Sequence, residues 1–259
     1  MRLLHGDCLD LMGDIPDKSV NLVVIDPPYG TTACKWDSVI PLELMWEHLK
    51  RVIKKNGAIV MTASQPFTTT LISSNTKMFK YCWYWKKTKA IGFQHAKNKP
   101  MKIIEECCVF SKAPMGHKGR LKDKRMEYNP QGVIPLKEKT VSVVWHGKMM
   151  GARPNQVGKK YMAYTNFPND LFLDFKQPIG GKTIHSTQKP VALMEYLIKT
   201  YTNEGETVLD FCMGSGTTGV ACLNLNRRFI GIEKDLEYFK LATERIEMET
   251  QQLNLFGVG

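Results

Sequence analysis

Short β-branched runs alternate with amphipathic helical patterns along most of this chain. The first run, Val20–Asp26, has the sequence VNLVVID and predicts a buried strand. Apolar residues then recur at helical spacing from Leu42 to Ile53, and Gly57 ends that pattern before a second predicted strand at Ala58–Ala63. Strands that alternate with helices predict an α/β fold, in which a mostly parallel sheet is covered by helices on both faces and ligands bind beyond the carboxyl ends of the strands.

The alternation continues on both sides of an irregular middle segment. Before that segment, strands are predicted at Phe79–Trp85 and Cys107–Phe110, with a helix at Gln65–Ser73. After it, the pattern predicts a helix opened by Pro190, a strand at Thr207–Cys212, a glycine-rich loop at Gly214–Gly219 leading into a helix at Val220–Leu225, a strand at Phe229–Glu233 and a final helix from Asp235. We therefore divide the chain into a first half of the sheet domain (1–110), an insertion (111–182), a second half of the same domain (183–250) and a tail (251–259).

Positive charge is concentrated just before the insertion and inside it. The chain has a formal net charge of +11, and the segment from Lys86 to Arg125 holds twelve Lys or Arg against three Asp or Glu. An excess of this size favours a polyanionic partner over a neutral metabolite. Because the insertion is rich in Gly, Pro, Lys and Asn and has weak periodicity, we expect it to be irregular and basic.

Cysteine spacing and hydropathy indicate the cellular setting. The seven cysteines include one adjacent pair, Cys107 and Cys108, but nowhere form the C-x-x-C spacing of a zinc site or a redox pair. We expect a reduced protein without a structural metal. The N-terminus lacks the apolar core of a signal peptide, and no apolar run approaches membrane-spanning length. These features predict a cytoplasmic protein that does not bind a membrane.

A glycine-rich segment, VLDFCMGSGTTG at Val208–Gly219, lies where a predicted strand turns sharply into a helix. Gly214 and Gly216 let the backbone approach a ligand closely, and the helix amino terminus offers unpaired N–H groups. The next strand ends in Glu233, which can accept hydrogen bonds from ribose hydroxyls. The alternatives are a simple tight turn and a dinucleotide site, although the loop lacks the third glycine of the dinucleotide fingerprint. A nucleoside that carries an amino acid, such as S-adenosylmethionine, fits better.

The tetrapeptide Asp26, Pro27, Pro28 and Tyr29 follows the first predicted strand. An exocyclic amine on adenine is a poor nucleophile because its lone pair is delocalised into the ring. The Asp26 carboxylate and the Pro27 carbonyl can each accept one amine hydrogen, and the double proline fixes the direction of that carbonyl. Tyr29 would stack on a base rotated out of the duplex. The alternative is a rigid turn capped by Asp26.

Together these segments resemble the amino-methylating DNA methyltransferases, specifically the permuted class in which D-P-P-Y precedes the cofactor loop. The resemblance covers about 3–111 and 167–246 and includes HSTQKP at His185–Pro190. It implies a Rossmann-like fold that uses S-adenosyl-L-methionine to methylate the N6 amino group of adenine in DNA. Asp7 is then expected to bind the cofactor adenine, and Ser186–Lys189 the methionine end. The full set of expected cofactor residues is Asp7, Cys8, His185, Ser186, Thr187, Gln188, Lys189, Asp210, Phe211, Gly214, Ser215, Gly216, Thr217 and Glu233.

Only a few residues indicate which base is methylated and which nucleic acid is bound. Asp rather than Ser at position 26 resembles the adenine-specific members more than the cytosine-N4 members. No Pro-Cys dipeptide is present to supply the nucleophile for ring-carbon methylation. Basic side chains in and before the insertion are expected to bind the phosphates of duplex DNA, and the insertion at 111–182 is expected to carry target recognition. These are Lys86, Lys87, Lys89, Lys97, Lys99, Arg120, Arg125 and Arg153.

Three alternatives stay open from the sequence. A methyltransferase that acts on cytosine N4 or on RNA would share this chemistry, and a catalytically silent DNA-binding protein would share the fold. The intact Asp26, Tyr29, Gly214 and Glu233 argue against the silent protein. A nicotinamide oxidoreductase would leave the D-P-P-Y loop and the basic segment unexplained.

The last residues carry a second resemblance. Gln252, Leu253, Leu255 and Phe256 resemble the short peptide with which bacterial replication proteins bind the sliding clamp. A tail folded onto its own domain is the alternative, and the two are weighted equally. The resemblances imply a bacterial or phage-encoded, nucleoid-associated enzyme of the restriction–modification kind, and a homodimer is compatible with them.

Overall fold

The computed structural model describes residues 1–32, 37–116, 124–132, 134–143, 160–166, 171–176 and 188–255, with the backbone alone at 134–143, 160–166 and 253–255. In chain order the strands are β1 (Arg2–His5), β2 (Val20–Ile25), β3 (Ile53–Ala63), β4 (Phe79–Ile91), β5 (Lys102–Phe110), β6 (Ile134–Val143), β7 (Lys160–Asn166), β8 (Phe172–Asp174), β9 (Thr207–Asp210) and β10 (Arg228–Glu233). The helices are α1 (Cys8–Leu11), α2 (Leu42–Val52), α3 (Phe67–Ser74), α4 (Val191–Tyr201), α5 (Thr217–Asn224) and α6 (Leu236–Leu255). None of the helices in these described ranges is long and apolar enough to cross a membrane.

Eight strands form one sheet in the order β1-β10-β9-β2-β3-β5-β4-β8. Neighbours pair in parallel except at β5, which runs antiparallel to both β3 and β4. The predicted α/β fold with a mostly parallel sheet is therefore confirmed. Near the centre β2 and β9 lie side by side, with Leu22 opposite Val208 and Val23 opposite Leu209. This register brings together the ends of the two strands predicted to carry functional loops.

Apolar side chains on the two faces of the sheet form two separate cores. On one face, Val24 packs in a cluster with Leu197 of α4 and with residues of α5 and α6. On the other face, Ile25 packs in a cluster with Leu49 of α2 and with residues of α3. Because side chains alternate along a strand, a central strand such as β2 needs a helical layer on each face.

The structure adds strands that the sequence pattern did not predict. β1 is a half-exposed strand of four residues at one end of the sheet order, and β8 has only three residues at the other end. Strands this short show too little alternation to be detected. Inside the segment expected to be irregular, β6 and β7 pair as an antiparallel hairpin. β4 also runs to Ile91, beyond its predicted end at Trp85.

The chain divides into two compact units, residues 1–129 with 171–259, and residues 130–170. The smaller unit is shorter than the predicted insertion of 111–182, because described residues on both sides of it pack on the sheet. Met126 is buried in one core, and the Glu127 N–H donates to the Asn56 carbonyl. On the other flank, Leu173 of β8 is buried and opposite Trp85 of β4.

Candidate active site

Four parallel strands bring acidic residues to one edge of the sheet. Asp210 and Glu233 are the last residues of β9 and β10, and Asp26 and Asp7 lie just beyond β2 and β1. The register places His5, near Asp7, directly opposite Glu233. Because the carboxyl ends of parallel strands meet at the same edge, all four carboxylates lie along one edge of the sheet, where we expect the site.

The glycine loop between β9 and α5 needs glycine at two positions. Gly214 and Gly216 have φ angles of +49° and +73°. A Cβ at Gly216 would lie 3.1 Å from the Ala242 Cβ, so this glycine also lets α6 approach closely. Among the described residues, a Cβ at Gly214 would meet no atom within 4 Å, so these residues leave space beside the loop for a ligand. The Glu233 carboxylate accepts the Gly214 N–H at 2.8 Å and the Asp235 N–H at 2.8 Å, so this carboxylate shapes the loop directly.

Two further side chains hold the glycine loop from within the protein. Asp210 is buried and accepts the Thr218 hydroxyl at 2.6 Å and the Cys212 N–H at 3.1 Å. Burial raises the pKa of Asp210 to about 7, against the lowering effect of these two hydrogen bonds. Arg245 of α6 donates to the Ser215 carbonyl at 2.8 Å. Asp210, from the strand before the loop, and Arg245, from helix α6, therefore both hold the loop in place.

The other predicted cofactor residues occupy varied places. Asp7 accepts the Lys234 ammonium at 2.9 Å and the Leu9 N–H at 2.9 Å, and these hydrogen bonds lower its pKa. Cys8 forms a thiol hydrogen bond with Cys212, which lowers the pKa of Cys8. Phe211, Ser215 and Thr217 are buried and Gln188 is half-buried, whereas His185, Ser186 and Thr187 lie outside the described residues.

The Asp26 carboxylate is held by three side chains from different elements. The Tyr29 hydroxyl donates to Oδ1 at 2.8 Å, and the Thr62 hydroxyl donates to the same oxygen. The Lys189 ammonium donates to Oδ2 at 2.6 Å. Burial, followed by the charges of Asp26 and Glu105, raises the pKa of Tyr29 well above its usual range, so the phenol keeps its proton.

The acceptor positions of the Asp26 carboxylate determine where the amine of a substrate can bind. Each carboxylate oxygen has about two acceptor positions, and those of Oδ1 face the Tyr29 and Thr62 hydroxyls, which also lie 2.9 Å from each other. Lys189 takes one position on Oδ2 and leaves the other. The Asp26 side chain is 25% exposed, so part of it can be reached from outside the protein. A donor such as an exocyclic amine can therefore bind at Oδ2.

The Tyr29 ring has a protein partner as well as the predicted nucleic-acid one. It stacks on Phe67 of α3, with ring centroids 5.4 Å apart and an interplanar angle of 22°. Stacking of Tyr29 on an extruded base stays a prediction. What the structure adds is a second role for this residue, because its hydroxyl fixes the orientation of the Asp26 carboxylate.

A buried series of alternating charges runs inward from Asp26. Lys189 contacts Asp26 and, at 3.3 Å, Oε2 of Glu105, and Glu105 forms a second ion pair with Lys87. The Lys87, Glu105 and Lys189 side chains are all buried, at no more than 10% exposed. Burial alone would lower the pKa of Lys189, but the two carboxylates outweigh it and raise the pKa. Lys189 therefore stays charged inside the protein.

Sequence reasoning missed Glu105 and misassigned Lys87. Lys87 lies in a run of exposed lysines and was expected to bind DNA, but its side chain is buried and its ammonium is paired with Glu105, so it is not available to a phosphate. Only the pairing of β4 with β5 brings the two residues together. Lys189 was expected at the methionine end of the cofactor, and the structure adds its ion pair with Asp26.

The remaining predicted DNA-binding residues are mostly on the surface. Lys86, Lys89, Lys97 and Lys99 are exposed on or near β4, and Arg125 is half-buried. Arg120 and Arg153 lie outside the described residues. These four lysines are therefore accessible from solvent. Their contact with DNA stays a prediction.

The site defines an α/β enzyme that has a cofactor-type glycine loop beside a polar catalytic loop. A DNA methylase family model, N6_N4_Mtase, matches residues 20–244, which include both loops. The chain belongs to this family of DNA methylases. The predicted family is thereby confirmed, and assignment to the permuted class stays a prediction.

Individual proteins that are similar to this chain are also named methyltransferases. Type II methyltransferase M1.MboII of Moraxella bovis is 27% identical over 93% of this chain and 94% of its own. DNA adenine methyltransferase YhdJ of Escherichia coli (strain K12) is 26% identical over 95% of this chain and 82% of its own. Among solved structures, the M1.HpyAVI–SAM complex is similar with a TM-score of 0.58 and 25% identity, covering 94% of this chain and 98% of that one.

We expect the buried charges to be energetically coupled. Glu105→Gln leaves the Lys87 ammonium buried without its partner, and should reduce the free energy of unfolding by about 3–5 kcal/mol. The double variant Lys87→Met with Glu105→Gln should lose about 1–3 kcal/mol less than the sum of the single variants. Urea denaturation measures both values. Lys86→Met, on the exposed face of the same strand, is the control, and additive losses would contradict the coupling.

We also expect Asp210→Asn to change how stability depends on pH. Because the pKa of Asp210 is raised to about 7, the folded protein holds more protons than the unfolded chain between about pH 4 and pH 7. The contribution of Asp210 to stability is therefore fully present below about pH 4 and falls as the pH rises to about 7.

Relative to the unaltered protein, the Asn variant should gain up to about 4 kcal/mol over that pH window, at about 1.4 kcal/mol per pKa unit. Urea titrations at several pH values measure the difference. Asp14→Asn, at an exposed aspartate, is the matched control. A stability difference that is the same at every pH would show that Asp210 titrates normally.

Proposed function

We propose that this DNA methylase transfers the methyl group of S-adenosylmethionine to the N6 amino group of adenine in duplex DNA. The observation that carries the proposal is the partly exposed Asp26 carboxylate, which is held by three donors and whose Oδ2 accepts only the Lys189 ammonium among the described residues. It lies at the end of β2, which is the direct neighbour of the strand that leads into the glycine loop.

The chain's own residues supply what the target amine needs. When bound, S-adenosylmethionine supplies an electrophilic methyl group. Asp26 Oδ2 and the Pro27 carbonyl each accept one hydrogen of the amine, which draws the nitrogen lone pair out of conjugation. Because Pro27 precedes Pro28, its ψ is restricted and its carbonyl has a fixed direction. The nitrogen gains positive charge as it is methylated, and the Asp26 carboxylate stabilises that charge. One of the two amine hydrogens then leaves as a proton through its hydrogen bond to Asp26 Oδ2 and passes on to solvent.

The glycine loop supports the cofactor assignment. Open space beside Gly214 can take the amino-acid part of the ligand close to the backbone. Each Glu233 oxygen accepts one backbone N–H and keeps a further lone pair for ribose hydroxyls. Asp7 lies at the neighbouring strand end, where the adenine is expected. M1.HpyAVI, which is similar over nearly its whole length, was solved as a complex with SAM.

The choice of adenine rests on Asp26 and on the relatives. YhdJ is named a DNA adenine methyltransferase, whereas the family as a whole covers N6 and N4 amines. The exposed lysines before the insertion would neutralise phosphates of the duplex. Expression in a methylation-deficient bacterium, followed by mapping of modified bases, distinguishes the products. N6-methyladenine at one sequence is expected, and N4-methylcytosine would contradict the choice of base.

We expect Asp26→Ala to abolish methyl transfer. Loss of the group that accepts the amine hydrogen should lower the rate by at least about 10²–10³-fold. Affinity for S-adenosylmethionine, measured by calorimetry, should stay within about a few fold because the carboxylate acts on the target amine. Asp14→Ala, which removes an exposed carboxylate, is the matched control. Full activity of the Asp26 variant would overturn the catalytic assignment.

The tail is proposed as a clamp-binding segment that would bring the enzyme to replicating DNA in the nucleoid. Helix α6 extends to Leu255 and exposes Gln252, while Phe256 and the side chains of Leu253 and Leu255 lie outside the described residues. Binding to a clamp would therefore require this last turn to unwind. Gln252→Ala combined with Leu253→Ala should weaken binding to purified clamp at least about tenfold in calorimetry. If the double variant binds the clamp as tightly as the unaltered protein, the hypothesis is wrong. The molecular mass of the purified protein in solution shows whether it is a dimer.

A further inference from the structure

Strands β4 and β5 form a hairpin arm that extends beyond the rest of the sheet. β3 ends at Ala63, opposite Glu106, and Glu106 in turn pairs with Tyr84. Beyond this level the hairpin continues to the pair Ile91 and Lys102. At about 3.3 Å per residue, the seven residues from Trp85 to the end of β4 extend the arm roughly 20 Å past β3.

The arm points away from the sheet at the edge that holds the active site. β4 and β3 are both antiparallel to β5, so β4 runs in the same direction as β3 and the neighbouring β2. Its far end therefore lies beyond the carboxyl ends of those strands, where Asp26 is located. DNA bound across this edge would meet the arm, which is long enough to enter a major groove about 8.5 Å deep.

The arm has the charge that a nucleic acid requires. Lys86, Lys89, Lys97 and Lys99 are exposed, and the chain has no Asp or Glu from Lys86 through Ile104. The acidic residues near the base of the arm are Glu105, which is buried and already paired with two lysines, and the exposed Asp174 of β8, which lies opposite Lys86. Beyond the end of β8 the arm therefore carries only positive charges, which favours phosphates over a protein partner of mixed charge.

An exposed aromatic side chain stands at the tip of this cationic arm. Phe93 is 81% exposed and is the most exposed of the large apolar side chains in the described part of the chain. It lies on an ordered turn: Gly92 has a φ of +91°, the His95 N–H donates to the Gly92 carbonyl at 3.0 Å, and the Ala96 N–H donates to the Phe93 carbonyl at 3.0 Å. Folding leaves this ring in water, so it gains burial only from a partner.

We propose that Phe93 inserts into the base stack of the bound duplex and holds open the place that the target adenine leaves. The inference rests on the proposed function, because an amine inside a base pair cannot reach Asp26 unless the base is extruded. A rigid apolar side chain on a cationic arm matches the chemistry of a wedge that separates stacked bases. The lysines bind the phosphates and so position the arm. Phe93 then stacks on the bases that flanked the extruded adenine.

The test compares two duplexes that carry the methylated sequence found by genomic mapping. In one, the target adenine is paired with thymine, and in the other it faces an abasic site, where extrusion costs less. Phe93→Ala should lower the single-turnover methylation rate at least about tenfold on the paired duplex, since one base–aromatic stack is lost, and by less than about threefold on the abasic duplex. Phe93→Trp should retain the rate on both.

Two controls separate insertion from general DNA binding. Met248→Ala removes an exposed apolar side chain from α6 and should change neither rate. Lys97→Ala should weaken binding to both duplexes equally and reduce the salt dependence of binding by about one charge. With 2-aminopurine at the target position, the Phe93→Ala variant should show a smaller rise in fluorescence than the unaltered protein.

Equal losses on the two duplexes, or no loss on either, would overturn the role of Phe93. Because the residue is exposed, the variant should keep the thermal midpoint of the unaltered protein, and this is measured on the same samples. Failure of the proposed function has a different signature, since the unaltered protein would then form no N6-methyladenine on the paired duplex.

Discussion

The ion pair between Asp26 and Lys189 joins two parts of the chain that are 163 residues apart. Asp26 follows β2 in the first half of the sheet domain, and Lys189 precedes α4 in the second half. With Tyr29 and Thr62 on the other carboxylate oxygen, three donors fix a group that side-chain rotation would otherwise leave free. The orientation of the remaining acceptor position, and hence of any amine bound there, depends on this arrangement.

The charged side chains behind Asp26 can be buried because positive and negative charges lie next to each other. Two lysines and two carboxylates, Lys87, Glu105, Lys189 and Asp26, alternate within contact distance, so each buried charge has an opposite neighbour. A single ion in the same place would carry a desolvation penalty of several kcal/mol. The antiparallel β5 is what makes this possible, because it carries Glu105 between Lys87 of β4 and the active-site edge. The one reversed strand of the sheet therefore contributes directly to the site.

Local patterns were enough to predict the centre of the fold and half of the site. The apolar run of β2, the D-P-P-Y turn, the glycine loop and Glu233 each show their structural role within a few residues of sequence. The buried charges could not be found in this way, because Lys87 resembles its exposed neighbours until the register of β4 against β5 is known. The short strands at the two ends of the sheet and the β6–β7 hairpin were missed since their pairing, rather than their own sequence, defines them.

A crystal structure of the protein with duplex DNA and an unreactive analogue of S-adenosylmethionine would test the central claim most directly. The account predicts that the extruded adenine places its N6 atom within hydrogen-bond distance of Asp26 Oδ2 and of the Pro27 carbonyl, while Tyr29 and Thr62 stay on Oδ1. An adenine amine bound away from Asp26, or a base that stays paired in the duplex, would contradict it.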